Sequence, residues 1–448
     1  VVLLGHYVPT NDFKNYFDLG RYFASGNYGE IARLTDSYGL PKLAGNGVYY
    51  GLLFSIFSPT LLGAQIINCI ATSLICMQIY QIAVKVPYAQ RAAVFAAVLY
   101  LCYPANILST QITTNHHGAT LFLLAAMRLF YALLECDFQA RKAHFITLLM
   151  LTALTLVISD FLHPSAILVL CAMAAFAGVW ILSHLLCLKR DFKPGLKRIA
   201  HGAVSLAAVC VLYFAFTKAG VAAITAVGMF HQGEEHSVLA KIVVGLNQET
   251  MGQWSEDYAK VREAGDQKAQ RRYCLQVIRE RTSDPAALLN LIWQKNLAGW
   301  LGVDNYFYFY TDGITAELDG IAQESEDPVI DRWAEQTKQD VIVWRDAWSI
   351  VDIVYVRVLW VGAVLGLCVV IRKRMTIFDL LIWFPAGWMA FMSITELQAR
   401  YRYQSMPIIC LLAGLGLQAA AGYLSDRYRA RRSKTREYHK TGNEAFDQ

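Results

Sequence analysis

The sequence predicts an all-α, polytopic helical membrane protein: about nine complete spans behind a truncated first span, with a mainly helical domain outside the membrane. Three observations lead there. Of the 448 residues, 56% are hydrophobic and 17% charged, and mean hydropathy is +0.34; a soluble chain of this length carries more charge. Nine apolar stretches approach or reach the roughly 20 residues that a helix needs to cross the hydrocarbon core. Between them, Lys and Arg collect in alternate loops, as the positive-inside rule requires.

In chain order, the apolar stub VVLLG (1–5) is expected to be the outer end of an incomplete span, with the remnant of a signal peptide as the competing reading. Both put residue 6 onward outside. The complete spans are predicted near 61–84, 91–110, 116–134, 144–160, 164–187, 199–219, 350–370, 377–395 and 405–424. The basic loops at Lys85 and Arg91, at Arg141 and Lys142, at 189–198, at 372–374 and at 426–440 are assigned to the cytoplasm. The alternation then holds 6–60, 111–115, 160–164, 220–349 and 396–404 outside, with no inversion forced on any helix.

The chain divides into an N-terminal transmembrane module (1–219, with a first outer loop at 6–60), an extracytoplasmic segment (220–349), C-terminal transmembrane helices (350–425) and a basic cytoplasmic tail (426–448). The 220–349 segment carries 20 acidic and 12 basic residues, too many for a span, and shows amphipathic patches near 236–246 and 286–300. Its aromatic run NYFYFY (305–310) is expected to form an interfacial belt rather than a glycan contact. Nearly all of the ten cysteines fall in or beside apolar helices, and the outer segment holds only Cys274, so no disulfide framework is implied.

Three polar clusters lie on the outer face. The first, NDFKNYFDLGRYFASGNYGEIA (11–32), places Phe13, Tyr16, Phe17, Phe23 and Ile31 at roughly helical spacing, as in a helix lying along a surface. Asp12 stands at its start, either as an N-cap or as a working carboxylate. The second is STQITTNHH (109–117), with Asp160 and His163 on the next outer turn. His116 and His117 point about 100° apart on a helix, which is not the pairing of a zinc site; hydrogen bonding is their ordinary use. Asp160 and His163, before Pro164, equally suit the end of a helix. The third, ELQARYRYQSMP (396–407), brings Glu396, Arg400 and Arg402 close to the membrane, where each needs water, a counter-ion or an anionic ligand. A planar guanidinium suits a phosphate because it donates two parallel hydrogen bonds.

Some chemistry is disfavoured by context. GLGLQA (414–419) has the spacing of a dinucleotide fingerprint but lies inside an apolar helix with no strand before it, so it reads as small-residue helix packing. No Walker A, HExxH or G-x-S-x-G sequence occurs, which weighs against an ATP-driven pump and an HExxH metalloprotease.

In order and placement these clusters resemble the GT-C glycosyltransferases, in the branch of the bacterial protein O-mannosyltransferases and aminoarabinose transferases. The motifs are Asp12 with Tyr16 four residues on, VYYGLLFSIFSPTLLGAQIINCI (48–70), YPANILSTQITT (103–114) and ELQARYRYQSMPIICLLAG (396–414). The similarity covers about 12–215 and 350–425 and leaves 220–349 unmatched. It implies transfer of a sugar, with inversion, from a polyprenyl-phosphate donor to an extracytoplasmic acceptor (protein, lipid or cell-envelope glycan). In that scheme Asp12 is the base, and Arg400 and Arg402 bind the donor phosphate with Tyr401 and Tyr403. Tyr16, Glu396, Asp160, His163, His116 and His117 support the site. The family often carries a second acid beside the first-loop Asp or in the second loop; here position 13 is Phe and 109–117 has no carboxylate, so Asp160 is the nearest candidate and the metal is undefined. No organic cofactor is implied, and a divalent cation stays open. The expected setting is a bacterial plasma membrane, crossed many times, with the bilayer as partner, no nucleic acid, the site outside and the C-terminus inside. A lipid-linked-glycan transporter or flippase and a glycan polymerase are the rivals; against the first, the sequence shows neither internal repeats nor interrupted spans.

Overall fold

The structure, a computed structural model, describes residues 7–138, 141–186, 192–231, 238–325, 327–373 and 375–444; the 1–5 stub lies outside them. The chain is 83% helical, with no strand among the described residues. Eight helices there are long and apolar enough to cross a membrane: Leu61–Lys85, His116–Glu135, Lys142–Leu162, Ala166–Ser183, Leu196–Ala226, Pro328–Val370, Ile377–Ile394 and Ala399–Arg429. Exposed Leu, Ile, Val and Phe on their outer faces suit an acyl-chain environment, since water would penalise so much uncovered apolar surface.

These eight correspond to eight of the nine expected spans. The ninth, at 91–110, is corrected: it is interrupted. An apolar helix Ala93–Leu101 ends at Cys102, and a separate short helix Pro104–Ser109 begins two residues later. The physical reason is Pro104, whose ring removes a backbone donor and disfavours helical backbone at Tyr103, which is extended at ψ 116°. The side-chain amide of Asn106 donates back to the Tyr100 carbonyl at 3.1 Å, replacing a backbone bond lost at the break.

Several helix starts follow from their caps. Asp284 and Asp327 accept from backbone amides of the first turn, each followed by Pro at the first helical position. Thr376 and Asp379 form a reciprocal capping box, which explains a carboxylate so close to a span. The helix Pro328–Val370 has 43 residues and so runs about 65 Å, roughly twice the hydrocarbon thickness. Its N-terminal half carries Asp331, Arg332, Glu335, Lys338, Asp340, Arg345 and Asp346, which need water.

The expected small-residue packing at 414–419 is observed. The final helix crosses Pro328–Val370 so closely that a Cβ on Gly366 would strike the Leu412 carbonyl, and one on Gly416 would strike the Gly362 carbonyl. A Cβ on Gly414 would lie 2.8 Å from that of Ala96, on the interrupted segment.

The two amphipathic patches of the 220–349 stretch are the helices Val238–Gly245 and Pro285–Leu301. Between them lie Asp257–Glu263 and Gln267–Arg281, pinned by Arg281, whose guanidinium meets both Asp257 carboxylate oxygens at 2.9 and 3.1 Å. NYFYFY is not an interfacial belt: it opens the helix Tyr306–Ser325, and Tyr306, Phe307 and Tyr310 are buried within the protein. With 3.6 residues per helical turn only one side of that run faces outward, and Tyr308 is its exposed residue.

Candidate functional site

The first outer helix, Asn11–Ala24, starts at Thr10, whose side chain makes no capping bond. Asp12 lies in its first turn, where a negative charge is favoured by the amide dipoles, and it does not cap. Asn11 sits at φ 51°, in the left-handed region that Asn tolerates better than most residues. Asp12 meets Arg400 instead: Nη2 of Arg400 donates to its Oδ2 at 2.7 Å, across 388 residues of sequence. The Asp12 side chain is 45% exposed and that of Arg400 7%. One partner is therefore open to a ligand while the other is a buried guanidinium.

Arg400 is held on several sides. Its Nε donates to Gln398 Oε1 at 2.5 Å, and its backbone N–H to Asn305 Oδ1 at 3.3 Å. The rings of Phe13, Phe309 and Tyr401 surround the guanidinium carbon at 5.2, 4.9 and 5.7 Å from their centroids. Such a cage stabilises a desolvated cation without consuming its N–H groups. Nη1 has no hydrogen-bond partner among the described residues.

A histidine and tyrosine cluster adjoins this pair. His116, at the start of the helix His116–Glu135, has its Nδ1 2.5 Å from the Tyr306 hydroxyl, which also meets Thr114 at 3.0 Å. The His116 ring packs edge-on to His163 at 4.8 Å. His163 in turn faces Tyr401 and Trp388. Burial, with the charges of Lys241 and Arg400 nearby, lowers His163 to about 3, so its imidazole is neutral at ordinary pH. Burial together with the Asp12 charge keeps the Tyr16 hydroxyl protonated well above the usual range. Glu396 accepts from Tyr258 at 2.8 Å and from Gln398 at 2.7 Å, so it reaches Arg400 only through Gln398.

The structure therefore brings Asp12, Tyr16, His116, His163, Arg400 and Tyr401 to one place. The other expected residues make no direct hydrogen bond to Asp12 or Arg400. Arg402 is fully buried; it donates to Asp352 Oδ2 at 3.1 Å, to the Gly302 carbonyl at 2.7 Å and to the Tyr103 hydroxyl at 3.3 Å, with Asp304 at 3.5 Å. Two carboxylates and two carbonyls, of Gly299 and Gly302, occupy the guanidinium, and it faces away from Asp12 because residues two apart on a helical turn do not share a face. Tyr403 is likewise interior, its hydroxyl bonded to Asn106 at 2.6 Å, Tyr100 at 2.9 Å and His117 Nδ1 at 2.7 Å. His117 also meets Thr72 at 2.9 Å, and the Tyr403 ring stacks on that of His116 at 5.9 Å, so Tyr403 links the two adjacent histidines. Asp160 accepts from Lys42 at 2.5 Å, from Tyr213 at 2.9 Å and from the Ala166 amide at 3.2 Å; it ties three elements together and shares no hydrogen-bond partner with Asp12. Among the described residues no group of three or more His, Cys, Asp or Glu is arranged to hold a metal ion.

Sequence reasoning singled out the run 305–310 but read it as a belt, so the contacts of Asn305, Tyr306 and Phe309 with the site were not expected, nor were the Asp304 and Asp352 partners of Arg402. A signal existed for Asp352: an Asp at the edge of a predicted span demands a counter-ion. None existed for Tyr306, whose neighbours are distant in sequence. Comparison with family models, with curated proteins and with solved structures finds no match to this chain.

Proposed function

We propose that this chain is an inverting membrane glycosyltransferase that moves a sugar from a polyprenyl-phosphate donor to an extracytoplasmic acceptor. The observation that carries the reading is the meeting of Asp12 and Arg400, one accessible carboxylate against one buried, caged guanidinium beside a set of neutral hydroxyl and imidazole groups. In the reaction Asp12 takes the proton of the acceptor hydroxyl as its oxygen attacks the sugar carbon. The bond from that carbon to the donor phosphate oxygen breaks on the opposite face, so configuration inverts. The leaving lipid phosphate is already a stable anion, and Arg400 with Tyr401 stabilises the charge it gains. Arg402 and Tyr403 hold the Ala399–Ser405 turn in shape and touch no substrate.

The apolar hollow along Leu61–Lys85, lined by Leu62, Ile66, Cys69, Ile70 and Leu74, supports a path for the lipid tail. Gln65, on its rim, donates to the Gln111 carbonyl of the polar second loop at 3.4 Å. The alternation of basic loops supports an outward-facing site, an inward C-terminus and an outer position for 238–349. One observation favours the rival reading of a flippase: the interrupted helix at Cys102–Tyr103, since broken spans line transporter pathways.

The test is purification and assay against a panel of polyprenyl-phosphate sugars, with Asp12→Asn as control. Transfer is expected in the native chain and to fall about 10²–10⁴-fold in the variant, the usual contribution of a general base. Near-native transfer by Asp12→Asn sinks the base assignment; lipid-linked sugar crossing reconstituted vesicles without transfer favours the flippase.

A further inference from the structure

Resting on the reading above, we propose that Asp12 and the donor phosphate compete for Arg400, so that the base is released only when the donor is bound. In this structure Asp12 Oδ2 takes the Nη2 proton of Arg400 at 2.7 Å. A carboxylate oxygen so engaged is turned to the guanidinium rather than to an acceptor hydroxyl. Arg400 has a limited set of donors to offer. Nε is committed to Gln398 at 2.5 Å, leaving the Nη1 and Nη2 edge as the face from which a phosphate can take two parallel hydrogen bonds. That is the edge on which Asp12 sits.

The two ends of the pair differ in freedom. The guanidinium is fixed by three aromatic rings and by Gln398. Asp12, in the first turn of a surface helix and 45% exposed, has room to turn toward water or an acceptor. Arrival of a phosphate therefore moves the carboxylate and leaves the arginine in place. The faces of Phe13, Phe309 and Tyr401 offer no second anion site, since aromatic faces repel negative charge. Other charges facing the pair are Lys241, which lies close to His163, and Glu396, which reaches Arg400 through Gln398; neither bonds Asp12. A released Asp12 is then free to accept the acceptor's hydroxyl proton. The order is donor first, acceptor chemistry second.

The experiment is binding of a short polyprenyl phosphate in detergent to four proteins: native, Asp12→Asn, Arg400→Gln and the double variant, each checked by gel filtration and thermal melting. Asp12→Asn is expected to tighten binding about tenfold, because the amide competes poorly for the guanidinium, and to change it less than twofold in the Arg400→Gln background. Equal tightening in both backgrounds means plain repulsion between carboxylate and phosphate and overturns the proposal; so does no tightening in either. A second readout needs no variant. Carbodiimide coupling at Asp12 of the native chain, measured by peptide mass spectrometry, is expected to rise on saturation with the polyprenyl phosphate, and an unchanged or lower yield overturns it. If the native chain binds no polyprenyl phosphate, the donor assignment itself fails, a result distinct from binding without competition.

Discussion

Replacing Arg402 separates its structural role from the phosphate-binding role that its place beside Arg400 suggests. Its guanidinium is fully buried between Asp352 at 3.1 Å and Asp304 at 3.5 Å, and it also donates to the Gly302 carbonyl at 2.7 Å and to Tyr103. Asp352 belongs to the helix Pro328–Val370, Asp304 to the turn before Tyr306–Ser325, and Tyr103 to the break at Pro104. One cation thus joins four elements. Burial pushes the Asp304 carboxyl up, and the Arg402 charge opposes that shift. Arg402→Gln keeps some of the volume and removes the charge, leaving two buried carboxylates facing each other. Removing one partner of a buried pair costs about 3–5 kcal/mol. The assay is thermal melting of the detergent-purified protein alongside polyprenyl-phosphate binding. The variant is expected to lose stability by that amount, and Arg402→Lys to lose nearly as much, because an ammonium cannot span both acids in the guanidinium plane. Adding Asp304→Asn and Asp352→Asn to Arg402→Gln is expected to recover part of the loss. A variant that melts like the native chain but fails to bind the lipid phosphate refutes this reasoning and returns Arg402 to the phosphate site.

Other outcomes follow from the same structure. Arg400→Ala is expected to weaken polyprenyl-phosphate binding at least tenfold while acceptor affinity changes little, the size of loss typical of a charge-assisted bond in a desolvated site; unchanged lipid affinity refutes the contact. Gly416→Val is expected to cost about 3 kcal/mol or more, because the new side chain must push two backbones apart at the Gly362 carbonyl; native-like melting and yield refute the close crossing. His163 is held at about 3 against an ordinary value of 6.5, mainly by burial. Between those values the unfolded chain carries a proton that the folded chain lacks. Stability is then complete above about pH 6.5 and falls as pH drops toward 3, and His163→Gln is expected to flatten that acid slope in melting temperature. Equal slopes in the two proteins refute it.

The helical, membrane-crossing character was legible in the sequence because it rests on local quantities, the length and polarity of each apolar run. The packing of GLGLQA against a neighbouring helix was legible for the same reason: glycines inside an apolar helix have few other uses. Asp12 and Arg400 were each visible as expensive charges on the same face. That they touch, and that Arg402 does not join them, depends on the turn Ala399–Ser405, where two residues of displacement send one guanidinium outward and the other into the core. The break at Pro104 was present as a residue, but an apolar run around it masked the effect on backbone geometry. Tyr306 and Phe309, read as belt residues, came to lie against His116 and Arg400 because the Tyr306–Ser325 helix packs inward. Composition and periodicity therefore determined the solvent this protein lives in and the inventory of its polar groups, since both are summed residue by residue. Tertiary structure alone decided which groups meet, because the meetings join residues far apart in sequence, 388 positions for Asp12 and Arg400 and 50 for Arg402 and Asp352, and burial on all sides leaves a buried charge stable only beside its partner.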